Sequence, residues 1–236
     1  SNYMFEDGVY LIDKPKGWTS FDVVNKIRFS VAKERDKKPK NVKVGHAGTL
    51  DPLATGLLIV LVGKEFTKKA SEYSKMDKTY EVTMKLGQTS VTGDEEGEKT
   101  EISERKPSVD EVQQVIDKFC GEIMQTPHSF SAIKVNGQRA YKLARKGQEV
   151  VIEPRKVTIY SIELTDYTYP LVSFTASVSS GTYIRSLVED IGKELKTGAY
   201  MSDLRRTEIG DFSIEDSTSI DQNIDKKPDL VHHKVQ

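Results

Sequence analysis

The stretch G-H-A-G-T-L-D-P-L-A-T-G, residues 45–56, leads directly into an apolar run from Leu57 to Val62. A short apolar run after a glycine-rich turn is typical of a buried strand, so a loop is expected at the entrance to a core element. The loop holds a single aspartate, Asp51, which is followed by Pro52. Because the proline ring pushes the preceding residue out of the helical region, Asp51 is expected to project from an extended or turned backbone.

A lone aspartate in such a loop has a limited chemistry. A carboxylate in water is almost wholly ionised at pH 7 and acts there as a permanent anion rather than as a strong base. It can attack an electrophilic carbon or stabilise an oxocarbenium-like centre. An ordinary turn, in which the aspartate only caps backbone groups, explains the loop equally well at this point.

The composition bounds the class of protein. The chain has 236 residues, of which 36% are hydrophobic and 30% charged, and this balance is typical of a globular protein with a substantial core. Cys120 is the only cysteine, which excludes an intramolecular disulfide and favours the reducing cytoplasm. The longest apolar run is far shorter than the roughly 20 residues of a membrane helix, so no membrane association is expected. The histidines and the cysteine show no metal-ligand spacing, so no metal is expected.

The formal net charge of −1 conceals two basic stretches. Residues 33–43 contain six basic side chains against two acidic ones, and residues 134–156 contain seven against two. Each stretch alone is consistent with a solvated loop. Together they favour a polyanionic partner such as a nucleic acid.

The periodicity predicts strands and helices in a mixed order. Apolar residues at Phe21, Val24, Ile27 and Val31 predict a helix from about Thr19 or Ser20. A capping box at residues 108–111 predicts a second helix, and a third begins near residue 182. Strands are expected at residues 8–13, 57–62, 80–86, 157–164, 171–178 and 204–209. Because no regular βαβ rhythm is present, an α+β fold with a largely antiparallel sheet is favoured.

Five segments together resemble the TruB family of tRNA pseudouridine synthases. They are L-I-D-K-P-K-G at 11–17, the glycine-rich loop at 45–56, D-K-T-Y at 77–80, G-T-Y-I-R at 181–185 and L-R-R at 204–206. The likeness runs in order from about Gly8 to Ser219, over about nine-tenths of the chain. It implies the pseudouridine synthase fold, a mixed sheet flanked by helices.

The resemblance also implies an activity. Members isomerise uridine 55 in the T-loop of tRNA to pseudouridine, by base flipping and an aspartate-driven cleavage of the N-glycosidic bond, without a cofactor. The implied partner is the T-arm of tRNA; no protein partner is required and a monomer is expected. Residues 1–219 would form the catalytic domain, with a basic RNA-gripping insertion at about 128–156, and 220–236 a short polar tail. Many bacterial members carry a C-terminal PUA domain, which is expected to be absent here.

Three residues carry the implied chemistry. Asp51 matches the catalytic aspartate. Tyr80 matches the tyrosine that stacks on the target base and is a candidate base in the later proton transfer. Arg185 matches the arginine that pairs with the aspartate. Taken singly, Tyr80 is better explained as a core aromatic and Arg185 as a surface helix residue.

Four further residues surround them in the family pattern. His46, Tyr183 and Leu204 match residues that contact the RNA or line the uridine pocket, and Lys14 matches a lysine beside the site. One departure is Phe130, which stands where many members have a tyrosine, so a hydrogen bond that the tyrosine hydroxyl makes there is not expected in this chain.

Two alternative functions remain open from the sequence. One is a guide-RNA-dependent synthase of the dyskerin type, although the segment D-P-L-A-T-G at 51–56 resembles that of the stand-alone bacterial enzymes. The other is a tRNA-folding chaperone that binds the T-arm without chemistry. The sequence also leaves open whether Asp51 attacks C1′ or assists removal of a proton from the sugar.

Overall fold

The computed structural model describes residues 5–127 and 153–220, together with the backbone of three short strands at Lys134–Val135, Gln138–Arg139 and Leu230–Val231. Most of the predicted insertion, Phe130 and nearly all of the predicted tail lie outside the described residues. The chain divides into two compact units. The first unit comprises residues 1–80 and 204–236, and the second comprises residues 81–203.

The elements are numbered in chain order. The helices are α1 (Ser20–Glu34), α2 (Lys64–Thr67), α3 (Ala70–Ser74), α4 (Val109–Lys118) and α5 (Ile184–Glu194), with 3-10 turns at Pro39–Asn41 and Ile214–Asp216. The strands are β1 (Gly8–Lys14), β2 (Val44–Ala47), β3 (Thr55–Val62), β4 (Lys78–Leu86), β5 (Gln88–Ser90), β6 (Lys99–Glu101), β7 (Gly121–Gln125), β8 (Lys134–Val135), β9 (Gln138–Arg139), β10 (Arg155–Thr168), β11 (Leu171–Val178), β12 (Ala199–Ile209), β13 (Phe212–Ser213), β14 (Thr218–Ser219) and β15 (Leu230–Val231).

The first unit is built around β3, the predicted core strand. β3 pairs antiparallel with β1 and with β2, and parallel with β12, where Arg206 lies opposite Gly56. Residues 57–62 of β3 are fully buried on both faces because α1 packs against one side and Tyr73, Ile209 and Phe212 pack against the other. The core strand predicted from the apolar run is therefore confirmed.

Helix α1 begins at a capping box. The Thr19 hydroxyl accepts from the Asp22 amide, and the Asp22 carboxylate accepts from the Thr19 amide, both at 2.9 Å. The predicted apolar face is confirmed at the three later positions, which are buried, but it is wrong at Phe21, which is 58% exposed. At 100° per residue, the buried stripe runs through Val23 and Val24, and Phe21 lies at its edge.

The second unit repeats the sheet-and-helix pattern. β10 pairs antiparallel with β11 on one side and with β7 on the other. α4 begins at the predicted capping box, in which the Ser108 hydroxyl accepts from the Glu111 amide at 3.2 Å. Helices and strands are thus mixed and the strand pairs are mostly antiparallel, which confirms the predicted α+β class. In the described part of the chain, no helix combines the length and the apolar character needed to cross a membrane.

Candidate active site

The loop between β2 and β3 presents Asp51 to solvent on a fixed backbone. Asp51 is exposed, and its carbonyl accepts from the Ala54 amide at 3.0 Å, which closes a turn. The preceding residue, Leu50, is buried and tied to Ser20 at the start of α1. The Ser20 hydroxyl accepts from the Leu50 amide at 2.9 Å and donates to the Leu50 carbonyl at 3.0 Å. The turned backbone expected from Pro52 is confirmed, and the hydrogen bonds between Ser20 and Leu50 stabilise it.

Arg206 bridges the two ends of this loop. Its Nη2 donates to the Gly48 carbonyl at 2.7 Å and its Nε donates to the Leu57 carbonyl at 2.9 Å, and the residue is 2% exposed. Gly48 has a φ of 81°, and a Cβ there would lie 3.6 Å from the guanidinium. Gly56 has a φ of 109°, and a Cβ there would lie 2.2 Å from the Arg206 carbonyl oxygen. The positive φ explains the glycine at 48, and the close approach of the β12 backbone, together with a positive φ, explains the glycine at 56.

Lys14 supports the loop from a neighbouring turn. The lysine is fully buried, and its Nζ donates to the carbonyls of Pro15 at 2.9 Å and Trp18 at 2.6 Å. Within the same turn, the Gly17 amide donates to the Pro52 carbonyl at 2.8 Å. The lysine predicted to stand beside the site therefore holds the turn that contacts the residue after Asp51.

The buried cations of the first unit influence one another. Burial lowers the pKa of Lys14 to about 8; Asp51 raises it and Arg206 lowers it further. Burial also lowers the pKa of Lys78 to about 8, and Arg206 adds to that effect. The pKa of His46 is lowered for the same two reasons, which keeps its imidazole neutral at pH 7. Arg206 thus contributes to the lowered pKa of all three groups.

His46, Tyr80 and Leu204 are half-exposed in the first unit. His46 lies in β2 opposite Val60, and its buried Nδ1 has no hydrogen-bond partner among the described residues. Tyr80 lies in β4 and is only partly buried, which excludes the alternative of a fully buried core aromatic. Leu204 lies in β12, two residues before Arg206. Contact of these three side chains with RNA stays a prediction.

Tyr183 is fixed at the start of α5 in the second unit. The side-chain amide of Gln125, which is fully buried, accepts from the Tyr183 amide at 2.9 Å and donates to the Tyr183 carbonyl at 3.0 Å. Burial raises the pKa of the Tyr183 phenol, which therefore stays protonated at neutral pH. The partly exposed ring is thus carried by a residue whose amide and carbonyl are both hydrogen-bonded to Gln125.

Arg185, two residues further along the chain, is paired with a residue that was not identified from the sequence. Its Nη1 donates to the Thr92 carbonyl at 3.1 Å and lies 3.7 Å from Oδ2 of Asp94. Asp94 is 7% exposed, and its Oδ1 accepts from the Thr92 hydroxyl at 2.7 Å. Asp94 belongs to the second unit, as Arg185 does, whereas Asp51 belongs to the first. The pair of Arg185 with Asp51 stays a prediction.

The sequence alone did not identify the roles of Asp94 and Arg206. Asp94 lies in an acidic stretch that has the composition of a solvated loop, and burial is the feature that distinguishes it from its neighbours. For Arg206 a signal existed, since L-R-R at 204–206 is one of the family segments, but only the structure separates the buried second arginine from the first.

Comparisons with known proteins match two family descriptions, which together span residues 35–226. The family description "TruB family pseudouridylate synthase (N terminal domain)" matches residues 35–184, and "tRNA pseudouridylate synthase B C-terminal domain" matches residues 185–226. A protein of Aquifex aeolicus named tRNA pseudouridine synthase B is 45% identical over 92% of this chain and 73% of its own length. One of the same name from Flavobacterium johnsoniae is 45% identical over 91% of this chain and 93% of its own length.

A solved structure shares the fold. It is an H/ACA ribonucleoprotein bound to a substrate RNA containing 2′-deoxyuridine, and a chain in it is 30% identical to this one with a TM-score of 0.65. The match covers 92% of this chain but only 52% of that one, so this protein spans about half its length. With the matched family descriptions and the similar relatives, the loop around Asp51 places this chain in the TruB family of tRNA pseudouridine synthases, enzymes that isomerise uridine in tRNA.

Proposed function

We propose that the protein converts uridine 55 in the T-loop of tRNA to pseudouridine, with Asp51 as the catalytic residue. The observation that carries the proposal is an exposed carboxylate on a loop anchored at Ser20 and Arg206. A rigid backbone beneath a reactive group reduces the reorganisation needed to reach the transition state. The loop is also the most specific of the family segments.

Access to the base is the first physical problem. A base in a folded RNA loop is stacked, and extracting it costs a few kcal/mol. Stacking on an aromatic ring returns about 1–3 kcal/mol per base, and Tyr80 is half-exposed and available for it. His46, kept neutral by burial and by Arg206, is proposed to fill the space that the base leaves.

The chemical step needs an anion and no redox partner. The N1–C1′ bond breaks, the detached base rotates, and a C5–C1′ bond forms; C5 then loses a proton and N1 gains one. Asp51 either attacks C1′ or assists removal of a proton from the sugar. Tyr80 is the proposed base for the later proton transfer, and Tyr183 and Leu204 are proposed to line the uridine pocket.

The remaining features of the proposal follow the family pattern. Residues 1–219 are proposed as the catalytic domain, 128–156 as its RNA-gripping insertion and 220–236 as a short polar tail. The protein is proposed to act as a monomer on the T-arm, without a protein partner or a cofactor. The expected location in the cytoplasm stays a prediction.

A second candidate is favoured by the structural match to an H/ACA ribonucleoprotein. A guide-RNA-dependent synthase would find its uridine by pairing with a guide, whereas the proposed enzyme recognises the T-arm directly. The higher identity to the bacterial relatives, 45% against 30%, supports direct recognition.

The test uses a T-arm hairpin transcript and the purified protein, with no guide RNA. Nucleoside analysis should show pseudouridine, and adduct labelling with primer extension should place it at position 55. A hairpin with cytidine at position 55 is the matched control and should give no product. Product that appears only after a guide RNA is added, or at another uridine of the hairpin, would contradict the proposal.

A further inference from the structure

The solvent side of α1 carries large apolar side chains. Phe29 is 60% exposed and Phe21 is 58% exposed, while the opposite side of the helix packs into the core. Charged and polar residues are the usual occupants of such a face. Of these two aromatic residues, Phe29 lines the grooves at this surface, where an exposed ring is available to contact a ligand.

Two grooves meet at Phe29. One has a volume of about 480 Å³ and the other of about 370 Å³, and both are lined by Asn25 and Phe29. The first groove also contacts Trp18, Asp22 and Lys26; the second contacts Arg28, Lys40 and Lys43. We call this surface the α1 groove.

The α1 groove has a strong positive charge. Its lining includes four cationic side chains and one carboxylate, Asp22. The cations come from two elements, α1 and the segment around Lys40, and the second of these belongs to the basic stretch at 33–43. A ligand that suits both features is an anion with flat apolar parts.

Arg28 is already fixed in position. Its Nη1 donates to the Asn25 side chain at 2.8 Å, its Nη2 donates to the Val44 carbonyl at 3.0 Å, and its guanidinium lies 6.0 Å from the centre of the Phe21 ring. A guanidinium has five N–H donors, so several remain for an anion. Because the side chain is held in the free protein, less conformational entropy is lost when it binds.

The α1 groove is continuous with the loop that carries Asp51. The first groove is lined by Gly17 and Trp18, which form the turn supported by Lys14. The Gly17 amide donates to the carbonyl of Pro52, the residue after Asp51. An RNA held at Asp51 therefore lies next to this surface.

We infer that the α1 groove binds an unpaired segment of the substrate tRNA, with bases against Phe29 and phosphates at Arg28, Lys40 and Lys43. Aromatic stacking with flanking cations is the general mode of binding to unpaired nucleic acid. The inference rests on the proposed function, since it identifies a further contact with the same RNA. Unlike the proposed function, the inference concerns the affinity for RNA and assigns no chemical step to this surface.

The experiment compares Phe29→Ala and a triple alanine variant at positions 28, 40 and 43 with the wild-type protein. Equilibrium binding of full-length tRNA and of the T-arm hairpin is measured over a series of salt concentrations, together with the single-turnover rate at saturating protein. Val109→Ala and Lys118→Ala are the matched controls, because both residues are exposed on α4 in the second unit.

Phe29→Ala should bind at least about tenfold more weakly, which corresponds to about 1.4 kcal/mol, with an unchanged rate at saturation. The triple variant should lower the salt slope by about 0.7 for each lost phosphate contact. A hairpin that shows the full effect places the RNA segment in the T-loop, and an effect confined to full-length tRNA places it elsewhere in the molecule. Wild-type affinity and salt slope in both variants would overturn the inference, and the surface would then suit a protein partner. A wild-type protein that makes no pseudouridine contradicts the proposed function instead, and the binding comparison still tests this inference.

Discussion

Replacing Arg206 with methionine should weaken both the fold and the activity. Methionine fills much of the same space but cannot donate to the carbonyls of Gly48 and Leu57, which lie at the two ends of the loop around Asp51. A buried carbonyl without a donor costs about 1–3 kcal/mol. The Leu57 carbonyl is buried and the Gly48 carbonyl is partly buried, so we expect a loss of about 1–3 kcal/mol in the free energy of unfolding from Leu57 and a smaller further loss from Gly48. Such a loss is a large share of the 5–15 kcal/mol that is typical of a folded protein.

Arg35→Met is the matched control. The Arg35 Nη2 donates to the Phe5 carbonyl at 2.7 Å and lies 2.8 Å from the Asp7 carboxylate, and its side chain is 14% exposed. It lies at the end of α1 opposite to Ser20, so its loss should destabilise the fold without disturbing the loop around Asp51.

The assay combines urea denaturation with single-turnover pseudouridine formation on the T-arm hairpin, at a temperature where each variant is fully folded. Both variants should unfold at lower urea, but only Arg206→Met should show a slower reaction. Equal rates in wild type and Arg206→Met would refute the reasoning, because the loop would then keep its geometry without the arginine. Equally slow reactions in both variants would also refute it, since general destabilisation would explain the loss.

Three further predictions concern RNA grip, the second unit and pH. The first variant replaces Arg139, Lys142 and Arg145 of the insertion with alanine. It should bind RNA more weakly, and the slope of log affinity against log salt concentration should fall by about 0.7–0.9 per lost phosphate contact. An unchanged slope would place the interface elsewhere. Asp94→Asn should lower the single-turnover rate more than it lowers the RNA affinity measured by filter binding, because Arg185 loses the carboxylate beside it. A wild-type rate would show that Asp94 has no role in catalysis. Since Lys14 has a pKa of about 8 in the folded protein against 10.5 in the unfolded chain, the unfolded state binds more protons between these values. The stability of the wild type should therefore rise with pH from about 8 to 10 relative to Lys14→Met, and parallel stability curves would contradict the buried lysine.

The features that were predictable from the sequence are local ones. The core strand at 57–62, the capping box at 108–111 and the alternating strands depend on residues a few positions apart, and their periodicity is visible without the fold. The turn at Asp51 was equally predictable, because Pro52 restricts the residue before it.

The features that were not predictable depend on distant contacts. Arg206 and the Gly48 carbonyl are 158 positions apart, and Arg185 and the Thr92 carbonyl are 93 positions apart. The exposure of Phe21 was missed for a related reason: helical periodicity alone does not show which residues near the edge of an apolar stripe meet the sheet. Asp51, the residue on which the activity is proposed to depend, was found because its motif is specific to the family.

The most direct test of the central proposal is Asp51→Asn. The substitution keeps the shape of the side chain and its position before Pro52, so the fold and the RNA affinity should change little, while the anion is lost. Single-turnover pseudouridine formation and filter binding are measured on the same T-arm hairpin. If Asp51 drives the reaction, the rate should fall by at least about four powers of ten, equivalent to about 5.4 kcal/mol of barrier at 1.36 kcal/mol per tenfold, with binding close to that of the wild type. Wild-type amounts of product from the variant would contradict the catalytic assignment; a chaperone that only grips the T-arm would lose nothing in binding and would make no pseudouridine even with Asp51 in place.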